Sequence, residues 1–217
     1  MAKKIDVKGR NPERILKDIE FIVGLSDEEL SQQAKYDVLY KISWEWTEGQ
    51  KKAKKYFGCE YWSEKALERK YGKDFLKNIE SQKFITTKNN DKGLRHEHVV
   101  PKKLFMEYVW QMVIDREPLD KDNLEKLMEK NLLACVITAA EDKVFSKYKI
   151  TEKLPGVVEN FDSEKFYSIT QFEKVEDNTW NRYKIAQQDG LSTIYKVVWD
   201  KTDAKKITEI EQFLPKP

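Results

Sequence analysis

His96-Glu97-His98-Val99-Val100-Pro101 carries both histidines of a 217-residue chain. Two imidazoles two residues apart, flanking a carboxylate, rarely fall together by chance. The hexapeptide closes an extended run that begins at Leu94, and Pro101 ends it. Upstream, Phe84-Ile85-Thr86-Thr87 is a short β-prone run and Asn89-Asn90-Asp91-Lys92-Gly93 a turn cluster. Downstream, Leu132-Leu133-Ala134-Cys135-Val136-Ile137 is a continuous apolar run of strand length, the kind that a strand covered on both faces needs. Thr138-Ala139-Ala140-Glu141 then forms a capping box that opens a helix reaching Tyr148. Between the two strands, Leu104 to Ile114 reads as an apolar helix with Phe105, Val109 and Met112 on one side. Pro118 marks its end, and Asp120 or Asp122 caps a second helix through Leu124, Leu127 and Met128.

Outward from this centre the texture changes. After Asn11-Pro12, residues Ile15, Leu16, Ile19, Ile22 and Val23 recur at helical spacing, and Gly24 stops them. Ser26-Asp27-Glu28-Glu29 reads as a capping box for a helix carrying Leu30, Ala34, Val38, Leu39 and Ile42 towards Trp46. Further helices are expected from Ser63 to Tyr71-Gly72 and around Phe75, Leu76 and Ile79. In the last third, Leu154-Pro155-Gly156 is a turn, while Phe166–Val175 and Ile194–Trp199 alternate apolar and polar residues. Asn178–Ala186 is ambiguous. A small antiparallel sheet closed by a helix at Ala204–Phe213 completes the reading. The fold class expected is α+β, with a helical region over 1–82, a central core over 83–150 and an α+β region over 151–217 packed on that core.

Composition excludes several classes. Ten Phe, ten Tyr and six Trp supply enough bulk for a core, so wholesale disorder is excluded. No stretch approaches eighteen apolar residues, so no membrane partner is expected, and the basic start lacks an apolar run behind it. Cys59 and Cys135 have no CxxC companion and read as buried, reduced thiols of a cytoplasmic protein. Forty basic against thirty-eight acidic residues leave a net charge of +2, too small to name a polyanionic partner. Trp44, Trp46, Lys51, Lys52, Lys54, Lys55 and Tyr56 suit a nucleic-acid surface, but charge runs are common on helices and the simpler reading is a solvated helical face with tucked-in tryptophans. Phosphate loops, GxGxxG, GxSxG and HExxH are all absent.

A histidine ending a strand, preceded by Asp, Glu or His and followed two residues on by Val/Ile-Pro, resembles the first motif of HNH (ββα-metal) endonucleases. In that family a second strand and a helix follow, as Leu132–Ile137 and the helix from Thr138 do here; residues 102–131 are then a helical insertion. The resemblance covers roughly Phe84 to Tyr148 and implies metal-dependent phosphodiester hydrolysis, in DNA more than in RNA. It makes His98 the general base, an imidazole with an ordinary pKa of about 6.5 being suited to activating water. Glu97 and Glu141 become ligands to Mg²⁺ or Mn²⁺. His96 becomes an alternative ligand or an orienting group, and Arg95, Lys102, Lys103 and Lys143 become phosphate contacts.

The chain departs from the family in offering Glu141 and Asp142 where His or Asn is usual, and in lacking zinc-binding cysteine pairs. Glu141 is also explained by its capping box alone, and Asn131 by a turn. Arg182-Tyr183 reads as a phosphate and base contact or as part of a surface helix. Two other functions stay open: a non-catalytic nucleic-acid binder on the same fold, and an interaction protein whose His-Glu-His holds a structural metal.

Overall fold

The computed structural model describes residues 11–48, 56, 58–73, 75–76, 84–85, 91–114, 121–149, 159–161, 168–170, 179–200 and 206–216. Asn11 caps α1 (Pro12–Gly24), its side chain accepting from the Arg14 amide at 3.2 Å, and Pro12 starts the helix where no N–H is needed. The Ser26–Glu29 box forms, with Ser26 N–H donating to Glu29 at 2.8 Å and Glu29 N–H to Ser26 Oγ at 3.3 Å. It closes a turn rather than a helix. The following helix, α2 (Gln32–Glu48), begins past Ser31, whose hydroxyl accepts from the Ala34 amide at 3.4 Å. The buried Lys35 bridges that turn, donating to Asp27 at 2.9 Å and holding its carboxyl below the usual range.

Next come β1 (Tyr61–Ser63) and α3 (Glu64–Tyr71), joined at Ser63, whose Oγ caps the helix by accepting from Ala66 at 3.2 Å. After β2 (Phe84–Ile85), Gly93 at φ 78° turns the chain into β3 (Leu94–His98). The helices α4 (Lys102–Ile114) and α5 (Lys121–Asn131) form the expected insertion, and β4 (Ala134–Thr138) and α6 (Ala139–Lys147) follow. The C-terminal third holds β5 (Glu159–Phe161), β6 (Ser168–Thr170), α7 (Asn181–Gln187), β7 (Ile194–Trp199) and β8 (Lys206–Leu214).

The architecture is α+β. Six strands form one mixed sheet in the order β2-β8-β7-β1-β4-β3, with β5 and β6 paired separately. Only β1–β4 is parallel; β3 lies antiparallel to β4, with His96 opposite Val136 and His98 opposite Ala134. All five residues of β4 are buried, as its apolar run required. Ala134 and Val136 pack with Trp62, Leu67, Leu94 and Val197 on the α3 side. Cys135 and Ile137 pack with Tyr61, Phe145, Tyr183 and Ala186 on the α6–α7 side. A third cluster fills the space between α1, α2, α4 and α5 around Trp46, Phe105 and Trp110. Both cysteines are buried and unlinked.

Three expectations are corrected. The first eighty residues are not all helical: Tyr61-Trp62-Ser63 is an inner strand of the sheet, too short to show a two-residue period. The C-terminal strands divide: β5 and β6 pair as a small antiparallel sheet, whereas β7 pairs with β1 and carries β8 into the main one. Consequently the stretches 1–82, 83–150 and 151–217 share a sheet. The closing helix expected at Ala204–Phe213 is replaced by strand β8 over Lys206–Leu214. Ile207, Ile210 and Leu214 imitate helical spacing, but a bulge absorbs the extra residue. Trp199 faces Ile207, Val198 faces Glu209 and Val197 faces Ile210, so both isoleucines reach the same core. The reading of Phe166–Val175 lies outside the described residues except at β6, as do Pro118, Asp120, Ile79 and the turn at Leu154.

Burial sets the alkaline limit of this fold. It pushes the Tyr61 phenol up to about 12, with the Glu60 carboxylate adding to the effect, and raises Tyr71 and Tyr183 as well. These phenols stay protonated in the fold above the ordinary value of 10.0, so their contribution is complete below pH 10 and is lost as pH rises towards 12. Denaturant midpoints should fall steadily across that window, with phenolate absorbance rising together with loss of structure. Titration of all tyrosines near pH 10 with the fold intact would contradict this.

Candidate nucleic-acid cleavage site

Alternation along β3 decides what stands beside what. Leu94, His96 and His98 are buried on one side; Arg95 is exposed and Glu97 half-buried on the other. On the histidine side the C-terminal end of α2 lies against the strand. His98 Nε2 is 3.1 Å from Thr47 Oγ1, and His96 Nε2 is 3.3 Å from the Thr47 carbonyl. A carbonyl only accepts, so His96 carries its proton on Nε2. The Thr47 hydroxyl also lies 3.5 Å from the Trp44 carbonyl of its own helix. Both imidazoles are thus held by Thr47 through Nε2.

The two rings stand 5.5 Å apart at 80°, and Trp44 meets His98 edge-on at 5.2 Å. Lys102 opens α4, with its ammonium 3.8 Å from the Tyr40 ring centre and 4.3 Å from that of Trp44. One indole thus touches both the imidazole of His98 and the ammonium. Each histidine keeps 9% of its surface open, whereas Trp44 is 37% exposed and forms the rim. The Val-Val-Pro that follows fixes this corner: Val99 enters the α6–α7 core, Val100 enters the helical core, and Pro101 accepts from the Phe105 amide at 3.1 Å.

The opposite side of β3 is an ion pair. Glu97 pairs with Arg182 of α7, a guanidinium with none of its surface exposed, which also donates to the His98 carbonyl at 2.8 Å and lies 4.7 Å from the Phe145 ring centre. Burial lowers the Arg182 pKa. Arg182 and Tyr183 are therefore core residues, not the surface helix or phosphate contact that their sequence suggested.

Glu141 is committed elsewhere. Its Oε2 accepts from Thr138 N–H at 2.9 Å, Thr138 Oγ1 at 2.9 Å and Ser63 Oγ at 2.7 Å. Its Oε1 accepts from Ser192 N–H at 3.0 Å and Ser192 Oγ at 2.6 Å. An oxygen-rich cation site needs several carboxylate lone pairs converging and open. Glu97 instead faces a guanidinium across the strand from the histidines, and Glu141 is saturated. Among the described residues no three His, Cys, Asp or Glu side chains are grouped so as to hold a metal ion. The expected pair of ligands, Glu97 and Glu141, does not fit Mg²⁺ or Mn²⁺.

Of the four expected phosphate contacts, Lys102 is buried against the Tyr40 and Trp44 rings with its ammonium closed to solvent, so it does not offer that contact. Arg95 is exposed on the far side of the strand and donates to the Leu94 carbonyl at 3.0 Å. Lys103 is exposed 3.9 Å from Glu107, and Lys143 is exposed on α6. Asn131 is buried and folds back on its own helix, donating to the Leu127 carbonyl at 3.0 Å. Trp46 is buried, and the basic run 51–55 lies outside the described residues. Thr47 and Tyr40 carried no signal in the sequence. A cavity of about 230 Å³ opens where β4 begins, lined among others by Trp46, Glu60, Tyr61, Glu129 and Ala134. It adjoins the site, since Ala134 is the cross-strand neighbour of His98 and Trp46 precedes Thr47.

No family model, curated protein or solved structure matches this chain.

Two expectations follow from the committed carboxylates. Glu97→Ala strands a buried guanidinium and should cost about 3–5 kcal/mol, whereas Glu97→Ala with Arg182→Met should recover most of it. Urea unfolding of the single and double variants measures this, and an additive double variant would contradict the pairing. Glu141→Ala should lower stability by about 2–4 kcal/mol by leaving buried donors unmet. A midpoint unchanged from the parent would show that the carboxylate is not the anchor of these strands.

Proposed function

We propose that this protein cleaves phosphodiester bonds in a nucleic acid, with His98 as the general base. The observation that carries the reading is how firmly His98 is held. Its imidazole is fixed by Thr47 and flanked by Trp44, while its carbonyl is gripped from the opposite side of the strand by Arg182. A base held in one geometry meets the first requirement of proton-transfer catalysis. The succession of β3 ending in His98, antiparallel β4 and then α6 supports the resemblance to ββα endonucleases, which makes nucleic acid the substrate class.

The neighbouring groups suit the same chemistry. Lys102 places a buried positive charge 4.3 Å from the centre of the Trp44 ring that His98 meets edge-on. The partly exposed Trp44 offers a face for a base to stack on. The resemblance points to DNA and a divalent cation, but the donors present do not fit such a cation and no step is assigned to one. A specific observation favours a second reading, binding without cleavage: both imidazoles are already engaged by Thr47.

His98→Ala should reduce cleavage at least about 100-fold while leaving the unfolding midpoint and nucleic-acid affinity near those of the parent. The assay presents single- and double-stranded DNA and RNA, with and without divalent cations. Salt-dependent binding by a parent protein that cuts none of them would replace the nuclease by the binder.

A further inference from the structure

We infer that Trp44 makes the site selective for an unpaired strand: one base stacks on its indole, and a phosphate beside that base is the one presented to His98. The inference rests on the nuclease reading above and names the form of its substrate. Trp46, Trp62, Trp110 and Trp199 are buried, whereas Trp44 is 37% exposed. The buried Trp62 and Trp199 each give their indole N–H to the Cys59 carbonyl at 2.8 Å; that of Trp44 meets no acceptor among the described residues. An exposed ring is commonplace by itself. This one lies 5.2 Å from the ring of the proposed base and is held in place. The buried Lys102 ammonium sits 4.3 Å from its centre and 3.8 Å from that of the Tyr40 ring. A ring fixed in advance loses little freedom when a ligand stacks on it.

Magnitudes decide between a paired and an unpaired strand. Stacking on one protein ring is worth about 5- to 150-fold in affinity per base. Inside a duplex each base is already stacked and paired, and freeing it costs a comparable amount or more. One indole therefore favours a base that is already loose and does not offset its extraction from a helix. Access points the same way. His98 keeps 9% of its surface open behind the Trp44 rim, so a phosphate that reaches it arrives on a strand slim enough to lie along that rim. The surrounding charges fit a strand. Lys41, exposed one turn earlier on α2, neighbours Trp44 at the i, i+3 spacing and is placed to meet a phosphate. The carboxylate of Glu45, next to Trp44 in the chain, is taken up by Arg14. Every base has a π-face, so this ring reads the absence of a partner strand, in DNA and RNA alike, and not a sequence.

The test uses the purified full chain and an end-labelled strand of DNA and of RNA, each alone and annealed to its complement, with and without divalent cations. Whichever polymer is cut, the unpaired strand should have a KM at least about 5-fold below that of the duplex. An abasic nucleotide at one of the two positions flanking the mapped cut should raise KM about 5- to 150-fold and leave kcat near that of the intact strand. That change leaves the protein untouched, so it decides the point whether or not Trp44 variants fold. Trp44→Leu, where folded by circular dichroism, should raise KM for the intact strand by the same factor, with no further loss on the abasic one. Trp44→Phe should recover part of the affinity. A duplex cut as readily as the single strand, a KM blind to both changes, or an abasic effect undiminished in Trp44→Leu overturns this inference and keeps the nuclease. Conversion of a parent dimer to a monomer by Trp44→Leu, with KM unchanged, gives the rim to a second copy of the chain and overturns it too. Failure to cut any polymer under any condition overturns both.

Discussion

One buried carboxylate closes the sheet at its centre. Glu141 takes hydrogen bonds from the last residue of β1, the last residue of β4 and the residue that leads towards β7. Those three strands are neighbours; β3 and β8 attach to them directly and β2 through β8. An unsatisfied charge at 2% exposure would be very costly. Here five donors meet the two oxygens, and the first turn of α6 adds its own favourable dipole. With these ends tied, β3 gets its place from β4, and α6 and α7 get a floor to pack on. The histidine site inherits its geometry from this knot at second hand.

What the sequence disclosed follows the strength of its local signals. The five-residue β4 was legible because being buried on both faces demands an unbroken apolar run, and α1 because its cap and stripe agree. β1 was not, since three residues carry no period and its stability comes entirely from neighbours on either side. β8 was misread because a bulge lets residues three apart share a face, which is the helical spacing too. Each miss is a case of long-range pairing overriding a local pattern.

At the site, the pairing of two histidines in one hexapeptide was enough to find the place but not to assign the roles. Glu97 and His98 are adjacent on a strand and must therefore face opposite ways. A motif read as a string sets them together; the pleat sets them apart, one against Arg182 and the other against Thr47. Glu141 had two readings on the page, cap and ligand, and the cap prevails because Ser63 and Ser192 arrive from distant parts of the chain to complete it. No pattern around Thr47 could have announced its role, since its partners lie about fifty residues away.

The grip of Arg182 on β3 spans 84 residues of chain. A ribosome delivering this protein from its N-terminus therefore releases the histidines long before the residue that secures their strand. The parallel pairing of β1 with β4 and the later pairing with β7 are equally non-local and late. The half-made chain holds the histidines without a formed site. The arrangement around His98 comes into being only after α7 has been made.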